Sequence, residues 1–295
     1  MQINNQKLVN TFFFPAVKND SSAFLKSFRQ DGFAVVKNIF DDQVSAELRD
    51  NCVSIARSAG VDEGDQFGLA NAFSKHASVA SVLVNENINY LISELVDSET
   101  WGFWGHSDVS LNAEAPWHKD DGGENINENY FGLDAIADDS AEIIKCAIYL
   151  QDHSQDGGSL SVIPKSHRQY FPGIGLPIDT KATSNDIVIF DARITHRGYQ
   201  NVIFPYLTLS RTLFIIANKI NAKFTKSFRA LKKRIGIKRA TRYALFFSVA
   251  KYNEITDKFG RNMVAHAEQK SNQIGGVHPS VKNELVKRGI FLYPE

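Results

Sequence analysis

The sequence predicts a mainly β fold with flanking helices, a double-sheet jelly roll whose mouth suits a metal site. Three observations carry that expectation. Short strand-like runs separated by turn residues fill the stretch from about residue 101 to 216. Segments with helical spacing precede them. A His-x-Asp pair, His118 and Asp120, sits in a strand-like setting, and another histidine, His196, lies just past an apolar strand.

The elements follow in order. Residues 21–31 read as a short helix that ends near Gly32, and Phe33 to Val36 as a strand. Asp41 or Asp42 can cap the next helix, because a short carboxylate accepts hydrogen bonds from the free N-terminal amides. Val44, Leu48, Cys52, Ile55 and Ala59 then recur at helical spacing until Gly60. From about residue 101, Val109 and Leu111 alternate with polar neighbours, and Ile143 to Leu150 is a continuous strand-like run. Gly157-Gly158 marks a turn, Ser159 to Ile163 a strand, and Pro164 a further turn. Ile187 to Phe190 and Thr208 to Ile216 complete the expected strands. Tyr243, Phe247 and Ala250 are spaced as on a further helix.

Bulk properties exclude several classes. The 295 residues suffice for one large domain or two small ones, and 43% are apolar, enough for a sizeable core. Formal net charge is zero, so nothing draws the whole chain to nucleic acid. Two unpaired cysteines, Cys52 and Cys146, fit a reducing compartment. The apolar patch Thr11 to Val17 is too short and too poorly flanked for a signal peptide, and no run approaches a membrane span. A soluble cytoplasmic protein is the expectation.

His118 and Asp120 are two residues apart, so on a strand both side chains point to the same face. Two imidazoles and one carboxylate on one face of iron(II) leave the opposite positions open for a cosubstrate and oxygen. Arg211 lies in the apolar run Thr208 to Ile216, where an unpaired charge is costly and an anion is needed. Its planar fork matches the far carboxylate of a keto acid. A structural ion pair is the plainer reading of the same arginine. His76, His106, His153, His266 and His278 have no ligand partner at a telling spacing, and His167 reads as a turn stabiliser. Trp101 and Trp104 read as core aromatics. The Gly- and Asn-containing acidic stretch from Asp120 to Asp139 reads as a loop over the site, either a lid or plain surface.

Five pieces together resemble the phytanoyl-CoA dioxygenase family of iron(II)- and 2-oxoglutarate-dependent oxygenases. They are Asp31 to Lys37, Pro116-Trp117-His118-Lys119-Asp120, Gly158 to Arg168, Asp186 to Asp191 and His196-Arg197-Gly198. The resemblance spans roughly residues 30–217. It implies a double-stranded β-helix (jelly roll, cupin-like), with His118, Asp120 and His196 as the catalytic iron ligands and Arg211 as the 2-oxoglutarate anchor. The implied cofactors are Fe(II), 2-oxoglutarate as cosubstrate and O2. Related halogenases replace the carboxylate ligand with a small residue, so Asp120 favours hydroxylation with release of succinate and CO2. Desaturation or cyclisation at the same iron, and a catalytically silent binding protein, are the alternatives. The chain departs from the family pattern in three places. Lys165 stands where a glycine is usual, Asn185 precedes Asp186 where a glycine is frequent and can keep the turn because Asn also tolerates positive φ, and 15 residues separate His196 from Arg211, which implies a longer loop around Phe204-Pro205.

The expected division is an oxygenase domain over 1–217 and a basic, helical extension over 218–295 packed on it. Between Lys219 and Arg242 lie ten Lys or Arg and no Asp or Glu. Phe224, Phe228, Leu231 and Ile235 form an apolar stripe at helical spacing, and Gly236 can end that helix. An amphipathic helix packed on the core is the first reading. Attraction of an anionic substrate, such as a phosphorylated sugar, a lipid-linked glycan or a CoA thioester, is the second. Weak contact with a membrane surface is the third. The expected partner is a small or conjugated metabolite, not nucleic acid.

Overall fold

The structure, a computed structural model, describes residues 10–62, 65–98, 101–120, 143–154, 159–170, 172–198, 211–235, 241–269 and 275–293. The chain opens with β1 (Thr11–Phe13), α1 (Phe14–Asn19), α2 (Ser22–Asp31), β2 (Phe33–Lys37), α3 (Asp42–Ser58), β3 (Phe67–Ala70), α4 (Ala72–Lys75), α5 (Ala77–Ala80) and α6 (Glu86–Val96). There follow β4 (Gly102–Leu111), β5 (Ile143–Tyr149), β6 (Ser161–Val162), β7 (Ile178–Asp179), β8 (Ile187–Asp191) and β9 (His196–Arg197). The remainder is α7 (Arg211–Arg234), β10 (Tyr243–Ala250), α8 (Glu254–Gln269), α9 (Pro279–Lys287) and β11 (Phe291–Leu292).

Two sheets make the jelly roll. The large one runs β1-β2-β8-β5-β10-β4-β11, with β3 also on β4. The small one runs β7-β6-β9, and an isolated bridge between His118 and His196 adds the 117–120 segment to it. Period-two alternation sorts the large sheet's side chains. Ala34, Val36, Ile144, Cys146, Ile148, Ile187, Ile189, Leu245 and Phe247 face a core shared with the N-terminal helices and α9. Phe33, Val35, Ala147, Tyr149, Val188, Phe190 and Ala244 face the space between the sheets, with Val162 of the small sheet and Leu160 just ahead of its strand. Both faces are covered, so these strands read as near-continuous apolar runs, interrupted by Lys145 on β5 and Ser248 on β10.

The early elements follow their local chemistry. The Asp41 carboxylate accepts from the Val44 amide at 2.8 Å and starts α3. Gly32 ends α2 at φ +80°, and a Cβ there would stand 2.4 Å from His167 Nδ1. His167 is itself buried beside that junction. Lys165 holds the turn after Ile163 at φ +67°, doing with a side chain what the usual glycine does without one. Trp101 and Trp104 are both buried in the core.

Four expectations need correction. Asn185 does not adopt the left-handed backbone that would make it a glycine substitute. It works through its side chain, accepting from Ser45 Oγ at 2.6 Å and donating to Asp42 at 2.6 Å, which ties the turn to α3. Residues 211–216 are helix, not strand: Phe214, Ala217, Asn218, Asn221 and Thr225 are buried at helical spacing, while Ile216 and Ile220 are exposed. A short apolar run such as Leu213 to Ile216 does not by itself distinguish the two periods. Residues 243–250 are a strand, not a helix. β10 lies between β5 and β4, and the helical spacing of Tyr243, Phe247 and Ala250 falls within a run that is apolar except for Ser248 because both faces are buried. The jelly roll therefore closes with β10, well past residue 217, and only the helices after it and β11 lie beyond its core strands. The Gly157-Gly158 turn, Gly236, the Phe204-Pro205 loop and the 121–139 stretch lie outside the described residues.

Candidate metal centre

The 117–120 segment is held in place from several directions. His118 N–H donates to the His196 carbonyl and His196 N–H to the His118 carbonyl, both at 2.9 Å. The Asp120 amide donates to the Ala192 carbonyl at 2.8 Å. Lys119 points away from its neighbours, as strand alternation requires, and its buried ammonium donates to the carbonyls of Ser166 and Gln169 at 2.6 and 2.5 Å. Trp117 is packed with Ile163 and Phe214 and carries the Arg197 guanidinium 4.8 Å above its ring. The 191–196 loop is fixed by a buried Asp191–Arg193 pair, Oδ2 to Nη2 at 2.6 Å.

Three side chains converge as a result. Ligand atoms of His118, Asp120 and His196 all lie within 4.8 Å of one another, the only such group of three among the described residues. His118 Nε2 is 3.4 Å from Asp120 Oδ1, and His196 Nε2 is 3.6 Å from Oδ2. The far ring nitrogens face backbone carbonyls, His118 Nδ1 to Pro116 O at 2.7 Å and His196 Nδ1 to Ile194 O at 3.0 Å. A carbonyl only accepts, so each Nδ1 carries a proton and each Nε2 is the ring atom left to face a metal. Two imidazoles and a carboxylate in that arrangement could hold iron(II) on one face. The electrostatics agree. Burial, and next the like charge of His118, lower the His196 pKa to about 4, so this ring is neutral as a ligand must be. Burial opposes charge on Asp120, but the Lys145, His196 and His118 groups outweigh it and hold the carboxyl well below its usual range. His118 differs: burial opposes its protonation, but its hydrogen bond and attraction to Asp120 outweigh this and raise its pKa, so this ring gives up its Nε2 proton when it takes a metal.

The sequence leaves open which face of the 143–150 strand, with Lys145 and Tyr149, looks into the site, and it gives no sign of how His106 and Asp108 join the centre. Lys145 on β5 shares the inner face of Ala147 and Tyr149, and its Nζ lies 3.5 Å from Asp120 Oδ2 and 3.3 Å from His106 Nδ1. His106 does have a partner at a telling spacing: Asp108, whose Oδ2 is 3.2 Å from His106 Nε2. Ser248 Oγ approaches His106 Nδ1 from β10 at 3.5 Å.

The arginines differ from expectation. Arg211 begins α7, and its side chain lies outside the described residues. The buried-strand setting that recommended it is absent. Arg242 has that setting. It is 8% exposed, immediately precedes β10, and falls on the alternation of Ala244 and Phe246, which pack between the sheets. Its backbone pairs with Asn112 and its guanidinium donates to the Ala113 carbonyl. Its Nη2 lies 3.8 Å from where a Cβ on Gly198 would stand, two residues past His196. Burial pushes the Tyr149 hydroxyl up to about 12, and the Arg242 charge partly offsets this, so the two share one neighbourhood. An arginine directly ahead of an apolar run was the available signal.

Comparison with known proteins agrees with this geometry. The profile of the phytanoyl-CoA dioxygenase (PhyH) family matches residues 28–202. An ectoine dioxygenase of Bordetella bronchiseptica is 22% identical over 165 residues, which cover 51% of this chain and 51% of that one. The chain thus spans about half the length of the curated relative it matches. The structure of HygX from Streptomyces hygroscopicus with nickel and 2-oxoglutarate bound superposes with a TM-score of 0.55 at 11% identity, covering 78% of this chain and 86% of that one. The epimerase SnoN, in complex with Fe3+, α-ketoglutarate and nogalamycin RO, gives a TM-score of 0.52 at 15% identity over 80% and 84% of the two chains. These likenesses establish a shared fold.

Proposed function

Since the chain belongs to the phytanoyl-CoA dioxygenase family, we propose that it is an iron(II)- and 2-oxoglutarate-dependent oxygenase that hydroxylates a small or conjugated metabolite. The observation that carries the reading is the convergence of His118, Asp120 and His196, with both Nδ1 protons directed to carbonyls and both Nε2 atoms turned toward the carboxylate. Bound iron with its keto acid supplies oxygen activation coupled to decarboxylation, which yields succinate and CO2.

The chain's own residues do the rest. His118, Asp120 and His196 hold the metal. Lys145 takes one oxygen of Asp120 at 3.5 Å and orients the carboxylate. Arg242 anchors the far carboxylate of the keto acid, because it is a buried guanidinium on the inner face beside the β9 end. Arg211 is the alternative anchor. Tyr149, Phe190 and Ala244 wall the interior and exclude water.

Retention of Asp120 as a carboxylate supports oxygen transfer over halogen transfer. An epimerase with this fold supports a second reading, hydrogen removal at the same centre without oxygen transfer. Product mass separates the two: a gain of one oxygen for hydroxylation, no change for epimerisation. The substrate reading is a metabolite with a negative group, drawn by the Lys- and Arg-rich 219–242 stretch.

The test is anaerobic titration with Fe(II) and 2-oxoglutarate. A weak visible charge-transfer band that needs both components and vanishes in His118→Ala is the expected result. Folded protein without the band would overturn the reading in favour of a silent binding protein.

A further inference from the structure

Helix α7 has two apolar faces, and among the described residues only one is packed against the fold. The first is docked on the metal-bearing segment. Phe214 packs with Trp117 and Ile163, and the Asn218 amide brackets Trp117, accepting from its N–H at 3.2 Å and donating to its carbonyl at 3.0 Å. The second comprises Ile216, Ile220, Phe224, Leu231 and Ile235, spaced by four, four, seven and four residues, which places them in one stripe along the helix. Their exposures are 49, 42, 38, 52 and 59%. Phe224 extends the surface by stacking on Phe228, with ring centroids 5.7 Å apart. The helix has 24 residues, and hence is about 36 Å long, so the stripe is a long ridge rather than a pocket.

Charge decides what covers this face. Lys219, Lys223 and Arg234 are exposed alongside it, and the 219–242 stretch holds ten basic residues and no acidic one. A second copy of the chain would bring two such basic stretches together, which mutual repulsion disfavours. An anionic bilayer offers a negative headgroup layer above an apolar interior, matching both halves of the pattern along a straight ridge. No described helix is long and apolar enough to cross a membrane, so the contact is with a surface. We propose that the outer face of α7 docks on an anionic phospholipid bilayer. Because the opposite face grips Trp117, the residue before His118, the docked bilayer lies on the flank of the metal centre.

The experiment is co-sedimentation of the full chain with vesicles of phosphatidylcholine alone and of equal parts phosphatidylcholine and phosphatidylserine, at low and high salt. Partitioning is expected into the anionic vesicles, weakening as salt rises. Ile216→Glu with Phe224→Glu is expected to lower it about tenfold or more, and Lys219→Glu with Lys223→Glu by about tenfold, with loss of the salt dependence. Ile216→Ala with Phe224→Ala, the gentler pair, should give an intermediate loss with the thermal melt unchanged. Absence of partitioning, or equal binding to neutral vesicles, overturns the proposal. So does a dimer in sedimentation velocity that Ile216→Glu with Phe224→Glu dissociates, since the stripe would then belong to a second copy. The charge-transfer band of the iron site is read in the same samples, so loss of the lipid contact and failure of the oxygenase reading are told apart.

Discussion

The chain contains two His-x-Asp pairs, His106 with Asp108 and His118 with Asp120, and they have different fates. Both lie on extended backbone, and in both the two side chains share a face. In the first, His106 spends both ring nitrogens inside the protein: Nε2 lies 3.2 Å from Asp108, and Nδ1 receives the Lys145 ammonium at 3.3 Å. In the second, Nδ1 of His118 is taken by the Pro116 carbonyl, and Nε2 turns toward Asp120 beside the matching nitrogen of His196. The spacing gives two side chains on one face. A site needs a third ligand across the sheet and a carbonyl behind each ring, and only the bridge between His118 and His196 brings those.

The sharpest way to break the comparison is to remove the third ligand. His196→Ala, or Asp120→Ala, should lower iron(II) affinity by more than about 100-fold, since even residues behind a ligand commonly cost 10- to 100-fold. Equilibrium dialysis of iron measures this, and full affinity in both variants would refute the ligand set. Next comes the keto acid. Arg242→Ala should raise the 2-oxoglutarate dissociation constant about 10- to 100-fold, the equivalent of a lost charge-assisted contact. Arg211→Ala should leave it within about twofold, as expected of a residue away from the contact. Anaerobic titration of the iron-loaded protein separates the two arginines, and the reverse ranking would restore Arg211 as the anchor.

The same contrast explains what could be read from the sequence. His118, Asp120 and His196 were legible because each sits where a local pattern ends, in Pro116-Trp117-His118 and after the Ile187 to Phe190 strand. The β5 and β8 strands were legible because sheets buried on both faces leave continuous apolar runs. That property also concealed β10, whose Tyr243, Phe247 and Ala250 fit a helical period by chance, and with it the setting of Arg242. Arg211 drew attention because Leu213 to Ile216 imitates a strand over four residues, too few to separate the two periods. The role of Lys145 depends on a contact with a residue 25 positions away, and nothing local signals that an apolar strand carries its one cation toward Asp120.

Lys145 also joins the two pairs, which makes the smallest effects the most instructive. Its Nζ touches Asp120 on one side and His106 on the other. Replacing it with methionine keeps the stem and removes the charge, so Asp120 loses the partner that orients its second oxygen. Lys145→Met should therefore weaken iron binding about tenfold, the low end for a residue behind a ligand. His106→Asn reaches the metal only through Lys145, and its contact with Asp108 is about one-third exposed, so iron affinity should stay within about twofold and stability should change little. Measured together, the two variants and their double form a cycle. If His106→Asn matters in the wild type but not beside Lys145→Met, the first His-x-Asp pair supports the second through the lysine. If His106→Asn costs as much as a ligand, the two pairs act as one centre and the separation drawn between them fails.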